Sequence, residues 1–264
     1  MRRALAAALA FVAVSAGTIP AGASATPTAT TVSSNWAGYT VSGSTLSSVS
    51  ATWTQPEADC KTAAGQTAAA FWVGLGGNSE TSNALEQIGT ESDCSLNGAA
   101  RYSAWYELVP AASVKTPLEV SAGDKIRASV RVTGSSVTIR LRDLTTGKSF
   151  AKTLRMAAPD VSSAEWIAEA PSAVIPGGTR ILPLTDFGTV RFANASATTA
   201  SGHTGTISDS SWSAARIDLL SEGGPGGPGF HPFAEAAGGS QAATSRLAAG
   251  GSAFAVTWSQ TGQV

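Results

Sequence analysis

Between residues 125 and 141 the chain alternates strictly, and no other stretch limits its possible folds as tightly. Ile126, Ala128, Val130 and Val132 take turns with Arg127, Ser129 and Arg131, and Val137, Ile139 and Leu141 take turns with Thr138 and Arg140. Successive side chains of a strand point to opposite faces, so each run has one apolar face to bury. Gly134-Ser135-Ser136 between them reads as a hairpin turn. Further strands are predicted at 49–54, 70–74, 84–88, 102–109, 149–154, 164–170, 189–193, 212–219 and 254–258, separated by Gly, Pro, Asn and Asp. Nothing of comparable strength has a helical period. Many short strands with one apolar face each predict an all-β fold, an antiparallel two-sheet β-sandwich.

The first 25 residues stand apart. Met1-Arg2-Arg3, an apolar run over 4–16 and the small triplet Ala23-Ser24-Ala25 read as an export signal. A membrane anchor is the competing reading, but Gly17 and Pro20 interrupt the run, and 18 uninterrupted apolar residues occur nowhere. Residues 26–34, rich in Thr and Ser, are expected to be flexible, and 35–264 to form a single domain. Without Arg2 and Arg3 the count of 17 basic against 18 acidic residues leaves a net charge of about −3. No basic block points to nucleic acid. The mature chain is expected to be extracellular, free of the membrane and monomeric. Cys60 and Cys94 are the only cysteines; in an oxidising compartment they are expected to form one disulfide, stabilising by roughly 3–4 kcal/mol in the chain-entropy treatment. A catalytic thiol is the lesser alternative.

Chemistry is narrowed by what the sequence lacks. His203 and His231 are its two histidines, both in polar or Gly/Pro-rich context, and the GxSxG, HExxH, P-loop and CxxC patterns are missing. A Ser-His-Asp triad or a zinc site is therefore poorly supplied, and both histidines read as solvated loop residues. Carboxylates and amides remain. In Ala164-Glu165-Trp166-Ile167-Ala168-Glu169, strand alternation sends Glu165 and Glu169 one way and Trp166 and Ala168 the other. Leu85 and Gln87 share a face, as do Trp105 and Glu107. By pattern alone each polar residue is ordinarily a solvent-facing strand position.

Six segments in order change that weighting: Asn35-Trp36-Ala37-Gly38, Phe71-Trp72-Val73-Gly74, Glu86-Gln87-Ile88-Gly89, Ala104-Trp105-Tyr106-Glu107, Ala164-Glu165-Trp166-Ile167-Ala168-Glu169 and Asp186-Phe187-Gly188-Thr189-Val190. Together they resemble the glutamic peptidases, the eqolisins or peptidase family G1. The resemblance implies a concanavalin-like sandwich with a substrate groove across one face, and a secreted acid endopeptidase whose catalytic pair falls on Gln87 and Glu169. Trp72, Trp105 and Glu107 match groove residues, Trp36 matches an aromatic near the start of the fold, and Glu165 is the nearby alternative carboxylate. Under this reading Gln87 holds the attacking water and stabilises the oxyanion, while an ionised Glu169, titrating near the ordinary glutamate value of about 4.3, takes and returns a proton. No metal or organic cofactor is implied, and the partners are polypeptide substrates. Fungal members carry an aspartate two residues after the WVG glycine, where this chain has Gly76, and a long propeptide, where only about nine residues separate the end of the expected export signal from Asn35. A lectin-like sugar-binding sandwich using Trp72 and Trp105, or a glycosidase using Glu107, Glu165 and Glu169, are the rival readings. Neither needs a glutamine at position 87.

Overall fold

In the computed structural model, which describes residues 29–61, 65–79, 83–175, 178–220 and 240–260, the alternating stretch is a hairpin. Val132 faces Val137, Val130 faces Ile139 and Ala128 faces Leu141 across it. Gly134 turns the chain at φ 56°, a left-handed conformation that glycine reaches without steric penalty.

The described strands are, in chain order, β1 (Ala29–Ser33), β2 (Trp36–Ser42), β3 (Leu46–Thr54), β4 (Ala70–Gly76), β5 (Leu85–Cys94), β6 (Ala100–Val109), β7 (Val114–Lys115), β8 (Lys125–Thr133), β9 (Ser136–Asp143), β10 (Ser149–Arg155), β11 (Ser163–Glu169), β12 (Ser172–Ile175), β13 (Gly178–Ile181), β14 (Thr189–Thr199), β15 (Thr204–Gly205), β16 (Ser213–Leu220), β17 (Ser240–Thr244) and β18 (Phe254–Gln260). One layer runs β16-β2-β11-β4-β5-β6-β7 and the other β10-β9-β8-β3-β14-β18. β17 joins β18 to β16, so the hydrogen-bonded order passes around a corner from one layer into the other. Pairing is antiparallel except at β1, which lies parallel to β16. β1 falls in the stretch expected to be flexible: its backbone is tied to β16 from Ala29↔Ala215 to Ser33↔Leu219, and Ser33 is buried. The export signal lies outside the described residues, as does His231.

The inward faces make one core. Tyr39, Val41, Trp166, Phe71, Val73 and Ile88 from the first layer meet Val49, Trp53, Ile126, Val130, Ile139, Leu141, Phe192 and Phe254 from the second. Two core tryptophans have their polar ends satisfied across the gap: Trp166 Nε1–H donates to the Ser50 carbonyl at 2.9 Å and Trp53 Nε1–H to Thr90 Oγ1 at 3.0 Å. Indoles buried with their N–H paired contribute area without an orphan donor. Cys60 and Cys94 are joined, fastening the segment after β3 to the end of β5.

Candidate active site

The outward face of the first layer is assembled row by row from strand register. Thr40, Glu165, Gly74, Gln87 and Glu107 lie in one row, Gly38, Ile167, Trp72, Gly89 and Trp105 in the next, and Trp36, Glu169, Ala70, Glu91 and Ser103 in the third. Gln87 and Glu169 therefore project from the same face, two strands apart and in different rows. What bridges them is the Trp72 indole. Its Nε1–H donates to Glu169 Oε2 at 2.7 Å, and its Cζ3 comes within 2.9 Å of where a Cβ on Gly74, Gln87's register partner, would sit. Gly89 makes room on the other side, since a Cβ there would stand 2.6 Å from Trp72 Cβ. Trp36 meets Trp72 edge to face at 5.1 Å, and with Leu85, Trp105, Ile167 and Ile217 they form a second apolar cluster that is the floor of the site.

Above this floor lies a cavity of about 460 Å³ with Gln87, Glu107, Glu169, Asn35 and Trp36 on its lining. Its walls are the turn from Val109 to Ser113 and the β12–β13 hairpin, which contributes Ser172, Val174 and Thr179. Gln87 Nε2–H donates to Glu107 Oε2 at 2.7 Å, and the opposite end of the amide, Oε1, is buried with no protein partner. Asn35 Nδ2–H donates to Glu169 Oε1 at 3.2 Å. The Trp36 indole N–H also faces this carboxyl, outside ideal hydrogen-bond geometry, and like Trp72 and Asn35 it favours the ionised form. Loss of hydration pushes the Glu169 pKa up to about 8; the Trp72 hydrogen bond opposes the shift, and the nearby Glu107 carboxylate adds to it. Burial likewise raises Glu107, against the pull of its bond from Gln87. The expected glutamate titrating at its ordinary value is thus replaced by one that keeps its proton throughout the acid range, because its carboxyl sits over tryptophans rather than water.

The remaining expected residues sort clearly. Trp72 is fully buried and Trp105 nearly so, so both form floor and neither offers an open ring for a sugar to stack on. Glu165 is wholly buried and does not line the cavity; its Oε1 accepts from Thr40 Oγ1 at 3.4 Å. Its carboxyl belongs to a buried acidic group with Glu86 and Asp160, whose backbone N–H donates to Glu86 Oε1 at 3.1 Å. Asp160 also accounts for Gly76: a Cβ at position 76 would lie 2.6 Å from Asp160 Cβ, so the space a side chain would take there is already filled from the chain segment before β11. His203 sits at the surface, 3.1 Å from an Asp209 carboxylate oxygen and far in sequence from the cavity lining. Asn35 and the two walls were not singled out from sequence. Asn35 stands 134 positions from the carboxylate it touches, and the signal for it was its place in the Asn35-Trp36-Ala37-Gly38 segment.

Comparison with known proteins identifies the family and the fold. Residues 34–223 match the family model described as the Peptidase A4 family. Aspergillopepsin-2 of Aspergillus niger is 30% identical over 195 residues, 66% of this chain and 67% of that protein. Scytalidopepsin B of Scytalidium lignicola is 37% identical over 124 residues, 46% of this chain and 45% of that protein. Among solved structures, scytalido-glutamic peptidase with a transition state analog inhibitor superposes with TM-score 0.67 at 25% identity, covering 86% of this chain and 98% of that one. The eqolisin SCP-B in complex with the tripeptide Ala-Ile-His superposes with TM-score 0.62 at 23% identity over the same shares. The chain belongs to the Peptidase A4 family, the glutamic peptidases.

Proposed function

We propose that the protein is an exported acid endopeptidase in which Gln87 and Glu169 activate one water against a peptide carbonyl. The observation that carries this reading is the pairing, on two residues that line one cavity, of a buried acceptor without a protein partner, Gln87 Oε1, and a carboxyl that retains its proton in acid. A buried acceptor left open costs about 1–3 kcal/mol, and a water or substrate group donating to it recovers that. Fixing the Gln87 Nε2 end on Glu107 decides which way the amide points.

The protonated state of Glu169 sets the order of proton transfers. As water held by Gln87 Oε1 adds to the scissile carbonyl carbon, the carboxyl gives its proton to the carbonyl oxygen and receives a water proton on its other oxygen. The product is a neutral gem-diol and a carboxyl still protonated. In the second step the carboxyl protonates the amide nitrogen while taking a diol hydroxyl proton, the C–N bond breaks, and acid and amine leave. The second Gln87 N–H hydrogen is available to the oxygen on which charge builds. Residues 1–25 would direct export, and the mature chain would act as a monomer.

Incubation of purified protein with casein and with a polysaccharide panel at pH 3–6 tests the reading. Casein cleavage insensitive to chelator is expected. Cleavage of a polysaccharide, or undiminished casein cleavage by both Gln87→Ala and Glu169→Gln, would sink it.

A further inference from the structure

The outward face of the second layer, turned away from the cavity, gathers cations without anions. The outward positions of β8 are Lys125, Arg127, Ser129, Arg131 and Thr133, and those of β9 are Ser136, Thr138, Arg140 and Arg142. Ser48 and Ser50 of β3 and Ser196 and Thr198 of β14 continue the surface on one side, and Ser149, Ala151, Thr153 and Arg155 of β10 on the other. No carboxylate stands among them, although the whole chain has 17 basic and 18 acidic residues. A depression of about 550 Å³ crosses this face, lined by Arg127, Arg131, Arg140, Arg142 and hydroxyl side chains. The ion pairs among the described residues join Lys148 to Glu119, His203 to Asp209 and Arg216 to Asp218, so these four exposed arginines enter none. Arg127 and Arg142 are direct cross-strand partners. Like charges placed opposite one another destabilise a sheet, and an anion lying between them reverses the sign of that interaction.

We infer that this face docks a flexible, linear phosphodiester polymer through its backbone anions. Guanidinium forks match phosphate oxygens bidentately, and the Ser48 and Ser129 hydroxyls between them can donate to the same oxygens. Outward positions recur about every 6.6–6.8 Å along a strand and about 4.8 Å across strands, a two-dimensional array on which an extended chain can lie in several registers. The face has no aromatic side chain for a base or sugar ring to stack on and no large apolar side chain to enter a bilayer. The choice of phosphate over carboxylate rests on the acid working range proposed above: uronic carboxylates lose charge near pH 4, whereas phosphodiesters keep theirs. A chain held this way leaves the peptide cavity, on the opposite face of the sandwich, open.

The test titrates fluorescently labelled poly(glycerol phosphate) with the full-length protein at pH 4.5, with polygalacturonate and phosphatidylglycerol vesicles run in parallel and the melting temperature recorded for every variant. Saturable binding to poly(glycerol phosphate) is expected, with log K falling linearly in log salt and the slope flattening by roughly 0.7 per arginine removed. R127Q/R140Q should weaken binding at least tenfold; R101Q/R246Q, which removes equal charge elsewhere, should change it less than twofold. If the first pair lowers the melting temperature appreciably, R142Q alone is expected to weaken binding about threefold. Absence of wild-type binding, equal losses from the two double variants, or tighter binding to vesicles or polygalacturonate overturns the inference. Because binding is read without peptide hydrolysis, its failure is separable from failure of the peptidase reading.

Discussion

Trp72 donates its indole N–H to Glu169 at 2.7 Å while the far edge of the same ring covers Gly74, the register partner of Gln87. One rigid side chain thus sets the spacing between two residues that sequence separation and strand offset would otherwise leave independent. Trp72→Phe keeps much of the apolar floor and deletes the donor. Since that donor lowers the Glu169 pKa, the variant should hold the proton to still higher pH, and loss of one hydrogen bond to the reacting carboxyl, about 1–3 kcal/mol, should cut kcat some tenfold or more with little change in KM. Steady-state kinetics on a chromogenic peptide decide this; an unchanged kcat would remove Trp72 from the machinery.

The pH profile follows from the direction of the Glu169 shift. A carboxyl acting in its protonated form, with its pKa pushed up to about 8, loses activity as pH rises through that value. Glu107 contributes to the elevation, so Glu107→Gln should move the falling limb of kcat/KM to lower pH. A profile that instead climbs from pH 4 to pH 8 would mean that the ionised form works and would reject the proposed order of proton transfers.

Stability should also favour acid. Glu86 is pushed up to about 8 by burial and Glu165 is raised well above its ordinary value for the same reason, with Asp160 adding repulsion to both. A raised carboxyl holds a proton in the folded state that the unfolded chain has released, so its contribution is complete below about pH 4.5 and is lost progressively as pH rises toward 8. Each such group adds a slope of about 1.4 kcal/mol per pH unit inside that window. Melting temperatures measured from pH 3.5 to 8 should fall on the alkaline side, and Glu86→Gln should flatten the decline; a melting temperature that rises toward neutrality would refute the assignment.

Gly76→Ala is expected to be costly despite the small change. The added Cβ would meet Asp160 Cβ at 2.6 Å and the Ala84 carbonyl at 2.8 Å, at a backbone φ of 83° that side chains rarely adopt. A loss of about 1–3 kcal/mol in urea unfolding is expected, and combining it with Asp160→Gly should recover part of that loss. If the double variant is no more stable than Gly76→Ala alone, the two positions do not share space in the way described.

How much of this was legible in the sequence depended on whether a strand had one face or two to bury. β8 and β9 alternate cleanly because their outward positions meet solvent, and their limits were readable within a few residues. β2 has six successive buried residues, Trp36 through Val41; with both faces covered it shows no period of two, and it was located only as the start of the fold. The facing of Gln87 and of Glu165 and Glu169 followed from alternation alone. That Glu165 would be sealed in and Glu169 left on a cavity did not, because the difference is made by Asp160, Trp36 and the hairpin wall, which arrive from elsewhere in the chain. The raised pKa of Glu169 was hidden for the same reason: a tryptophan floor is a tertiary fact.

The ladder that turns the corner through β17 and β18 leaves the two layers without a seam along that edge. Neither layer can shed its partner there without breaking backbone bonds, so heat or denaturant should take the peptide cavity and the arginine-bearing sheet apart in a single step, with no half-open form in which one outlasts the other.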